Sequence, residues 1–138
     1  MKQIELARER LLGADGVPSV LSAGWETFEL VIAVAAVSAD QSADMYPAFT
    51  FARGSAVSGR NALAFAPSMP TGYAPSGSLE PVTGDVYQVA DAVAGLASAL
   101  SARLRDAASR AADADDHAAC ENAAGHADQI SKLLAQGG

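Results

Sequence analysis

The sequence predicts an all-α fold: one domain built as a bundle of four or five helices, with a long loop between its third and fourth helical segments. Three observations predict it. Close to a quarter of the residues are alanine, the strongest helix former and one with little side chain to bury. Apolar residues recur at three- and four-residue steps through both halves of the chain, which is the period of a helix face. The two Ala-rich halves are separated by residues 67–84, a Pro/Gly/Ser-rich stretch with no periodicity. At 138 residues the chain is long enough for one core and too short for two comfortable ones.

The elements follow in order. Residues 2–12 place Ile4, Ala7, Leu11 and Leu12 on one side, with Glu5 and Glu9 in pairing range of Arg8 and Arg10. Gly13 and Gly16 end that segment. Pro18 suits the first turn of a second helix, where its missing N–H costs nothing. This helix is expected to run to about Ser38. Val20, Leu21, Trp25, Phe28, Leu30, Val31, Ile32, Val34 and Val37 cover more than one of its faces, so it is either central in the bundle or shared with another subunit.

A third segment is expected over residues 43–66, from Met45, Phe49, Ala52, Ala56 and Leu63 at helical intervals. Gly54 and Gly59 either allow a close neighbouring backbone or split the segment in two. Residues 48–51 also read as a strand, for which the chain offers no partner. Residues 67–84 form the long connection, expected on the surface and crossing the bundle. From Asp85, a plausible N-cap, Val86, Val89, Val93, Leu96 and Leu100 make the cleanest helix seam in the chain. A later set, Cys120, Ala123, Ala127, Ile130 and Leu134, continues at helical spacing. Between the two sets, Asp113, Asp115 and Asp116 favour a hairpin capped by Asp113 over one continuous helix. Residues 136–138 form a frayed tail.

Composition narrows the function classes. The formal net charge is −7, whereas general binding to nucleic acid or to an anionic membrane needs a basic surface. Neither partner is expected. A single cysteine, Cys120, permits no intramolecular disulfide, and the first residues lack an apolar leader core, which together fit a cytoplasmic protein. Residues 17–38 approach the length of a membrane span but hold Glu26 and Glu29, so a buried bundle helix is the preferred reading. Arg-over-Lys and Ala-rich usage resembles that of a high-GC bacterial genome.

No motif identifies a reaction, and no catalytic residue, metal or cofactor is assigned. Gly54 to Asn61 approaches the phosphate-cradling G-x4-G-K-[ST] pattern, but Arg60 and Asn61 replace the lysine and hydroxyl. His117, Cys120 and Glu121 share a helix side without an evident fourth ligand. Trp25, Phe28, Tyr46, Phe49, Phe51, Phe65 and Tyr73 read as core, or alternatively as an apolar ligand cavity.

The leading expectation is a non-enzymatic module that acts by protein–protein association, forming a homodimer or larger homo-oligomer, with an unidentified protein as a further partner. Its expected interface residues are Trp25, Phe28, Val93, Leu96 and Leu100. The alternative is a small-ligand protein or enzyme with a pocket between the second and third helices. That reading uses Glu26 and Glu29, three residues apart in the most apolar helix, with Arg53 and Arg60.

A remoter reading rests on Arg110 and His117, with six residues between them. Over these eight positions the chain resembles the R-x4-6-H element of the HEPN ribonuclease group. The resemblance implies an arginine and a histidine on a helix handling RNA phosphate chemistry, typically in a dimer. Here Ala111 stands where that group usually has a polar residue, and three aspartates inside the element repel RNA.

Overall fold

A computed structural model describes residues 2–70 and 85–136, and all the regular elements among them are helices. They are α1 (Lys2–Gly13), α2 (Val17–Ala39), α3 (Tyr46–Leu63), α4 (Val86–Arg110) and α5 (Ala114–Gln136). The expected third segment is trimmed at both ends, and residues 48–51 are helical, not extended. Residues 71–84 of the expected loop lie outside the described residues, as does the tail at 137–138.

Local chemistry sets the boundaries. Gly16 takes φ +83°, a backbone conformation that side chains resist, and turns the chain into Pro18 at the head of α2. Asp85 caps α4 by accepting the Tyr87 N–H at 2.7 Å. Asp113 resolves the hairpin question: its Oδ1 accepts the N–H groups of Asp115 at 2.8 Å and Asp116 at 3.2 Å. That satisfies donors a helix start leaves open, so α5 begins there and folds back on α4.

Four helices form a ring in which α2 contacts α3, α3 contacts α5, α5 contacts α4 and α4 contacts α2. Cross-links between them fix the directions. Ser55 meets Gln129 and Ser68 meets Asp116, so α3 and α5 are antiparallel. Ser98 and Ser131 lie 2.8 Å apart across the α4–α5 hairpin. Gly24 of α2 sits beside Leu63 of α3 and Leu100 and Leu104 of α4. With these directions α3 and α4 run the same way at opposite corners, the arrangement of a bundle with one crossover connection. α1 lies over α2 and α4, pinned where the Arg103 guanidinium donates to the Leu11 carbonyl at 3.0 Å and to that of Ala14.

The core explains the alanine content. Phe28, Phe49, Leu63, Leu100, Leu104 and Ile130 are fully buried, each contributing about 1.5–3 kcal/mol of transfer free energy. Ala97, Ala107, Ala108, Ala119, Ala123 and Ala127 fill the space between them, and small side chains let helix axes approach. At Gly59 the approach is closest, because its backbone sits against the Phe28 ring.

This packing corrects the expected interface. Phe28, Val93, Leu96 and Leu100 are 0–2% exposed within one copy of the chain. A second copy could reach them only if the bundle opened. Much of the apolar surface of α2 is covered by α1, α3 and α4 of the same chain, which the periodicity alone did not reveal, while Val37 stays 46% exposed and Trp25, Leu30 and Ile32 are half-buried. α2 has the length and composition of a membrane span, and half of its most apolar window is buried inside the bundle. A core helix meets the same two criteria.

Candidate functional site

The charged residues singled out in the sequence are built into paired, half-exposed arrangements. Glu26 and Glu29 are both half-buried and point to different partners. Glu26 meets Arg10 of α1 at 3.4 Å, and Glu29 meets Arg60 of α3 at 3.2 Å. The Arg60 guanidinium also lies 5.8 Å from the centre of the Trp25 ring, in cation–π range. Arg53, two turns back on α3, is exposed and takes part in no ion pair among the described residues. The four residues of the ligand reading therefore do not converge. Glu26 alone lines a hollow, an open one of about 490 Å³ between the end of α1 and the start of α2, with Arg10, Ser19 and Ser22.

Arg110 and His117 do not share a helix. One ends α4 and the other lies in the first turn of α5. Arg110 Nε pairs with Asp106 at 3.4 Å within the last turn of α4, whereas His117 Nδ1 is 2.8 Å from the Ala108 carbonyl and so ties α5 to α4 across the hairpin turn. His117 and Glu121 are exposed whereas Cys120 is fully buried. No group of three or more His, Cys, Asp or Glu among the described residues could hold a metal. Burial, assisted by the nearby charges of Asp116 and Glu121, pushes the Cys120 thiol up to about 11, which suppresses the reactive thiolate. Residues 54–61 lie within continuous α3. Their backbone N–H groups are used by the helix and cannot wrap a phosphate.

Two polar networks have structural roles. Asp116, 3% exposed, accepts the Ser68 N–H at 2.9 Å and the Ser68 hydroxyl at 2.5 Å. The turn after α3 is thereby tied to the head of α5. Arg105 bonds Asp128 at 2.8 Å across the hairpin, and that hydrogen bond holds the Asp128 carboxyl below the ordinary range.

The aromatic cluster divides. Phe28 and Phe49 are in the core, Trp25 is half-buried, and Tyr46, Phe51 and Phe65 are 51%, 65% and 81% exposed. Tyr73 lies outside the described residues. The signal for this division was present in the sequence: Phe49 and Phe51 are two residues apart, and on one helix they cannot face the same way. Phe65 borders a shallow groove of about 660 Å³ between α3 and α5, lined by Ser58, Asn61 and Ala62 on one side and by Asp115, Ala119 and Asn122 on the other. No Asp or Glu occurs between Asp44 and Glu80, so α3 itself carries no acidic group in an acidic protein, and its exposed residues set Phe51 among the polar Thr50, Arg53, Ser58 and Asn61. Comparison with protein-family models, curated proteins and solved structures finds no match to the chain. The α3 face is thus the feature on which a functional reading can be built.

Proposed function

We propose that the chain is a non-enzymatic cytoplasmic module that works through protein–protein association, self-association included. One observation carries this: Phe51 stands exposed on α3, a helix that carries arginine but no acidic residue, and Phe65 stands exposed in the turn just after it. Surface aromatics and arginine, with acidic residues and lysine depleted, are the composition of interface cores. An exposed apolar patch of this kind is costly to keep without a partner. The ion pairs of Glu26, Glu29, Arg60, Arg105 and Arg110 serve the fold, which favours binding over catalysis. The −7 net charge supports a partner other than nucleic acid or an anionic membrane.

Native mass spectrometry of the full chain across a concentration series tests the reading. The expected result is a mass above the 14.0 kDa of one copy, rising with concentration and carrying no retained small molecule. A strict monomer retaining a stoichiometric small molecule would refute it and favour the hollow beside Glu26 and Arg10.

A further inference from the structure

We draw no further inference here: the strongest candidate, the surface patch of exposed Phe51 and Phe65 beside the α3–α5 groove that Asp115 lines, carries nothing beyond the association reading because nothing in the structure shows what covers it.

Discussion

Gly59→Ala is expected to destabilise the bundle, although the same change in a helix is ordinarily favourable. A Cβ built on Gly59 would lie 2.5 Å from Cε1 and 3.1 Å from Cδ1 of Phe28, and nearer still to Cζ. Phe28 is fully buried, so the ring has no free volume to move into and α2 must shift away from α3. Overpacking of this kind costs about 1–3 kcal/mol. Three ring atoms are involved and the side chain is rigid, which argues for the upper end. The helix-propensity gain from Gly to Ala returns about 1 kcal/mol. The net loss is therefore about 2 kcal/mol, or about 6–8 °C in midpoint temperature for a domain of this size. Gly125→Ala is the matched control: a Cβ there meets nothing within 4 Å, so it should stabilise by about 0.5–1 kcal/mol. Urea unfolding at one fixed protein concentration reads both. A double-mutant cycle with Phe28→Leu then isolates the contact, with a coupling of about 1 kcal/mol or more expected from a shared steric clash. A Gly59→Ala variant as stable as wild type, or a cycle without coupling, would refute the claim that this glycine exists to admit the Phe28 ring.

Three further outcomes follow from the buried and paired groups. Asp116→Ala should cost about 1–3 kcal/mol by stranding the Ser68 donors and should speed amide exchange at Ser68; unchanged exchange would show that the turn is held by other contacts. Cys120, with its thiol raised to about 11, should resist alkylation at neutral pH in the folded protein and react at a free-thiol rate once denatured; rapid native labelling would contradict its burial. The Asp128 carboxyl is lowered in the folded state by Arg105, so its contribution to stability is present above the unfolded carboxylate pKa of about 3.9. That contribution is lost as pH falls through the lowered folded value. Arg105→Ala should therefore flatten the acid limb of a stability-against-pH curve and leave the alkaline limb unchanged.

Most of the architecture was legible because it rests on local chemistry. Pro18 after Gly16, Asp85 before the Val86 seam and Asp113 before α5 each name a helix start by satisfying, or by not needing, a backbone donor. The hairpin at residues 111–113 was legible for the same reason: three aspartates are poor in mid-helix and good at a positive helix end. What periodicity cannot say is which element covers an apolar face. Val93, Leu96 and Leu100 form the same three-and-four pattern whether the opposing surface belongs to α2 and α5 of one chain or to another copy. The structure assigns the cover to one chain, and the interface expected there was misplaced for that reason.

The carboxylates follow the same logic with a different outcome. Glu26 and Glu29 are close enough in sequence to suggest one site, yet α1 reaches one and α3 the other, because α2 lies between both neighbours. Pairing in each case neutralises a charge on a mostly apolar helix, and among the described residues the hollow beside Glu26 does not include Glu29. Once those groups and the buried seams are accounted for inside a single copy, what remains exposed and apolar on α3 is small and localised. Phe51 on α3 and Phe65 just after it are 65% and 81% exposed and serve no core, beside exposed Thr50, Arg53, Ser58 and Asn61. A helix that buries Phe49 inward while holding Phe51 outward presents that ring to something other than its own bundle.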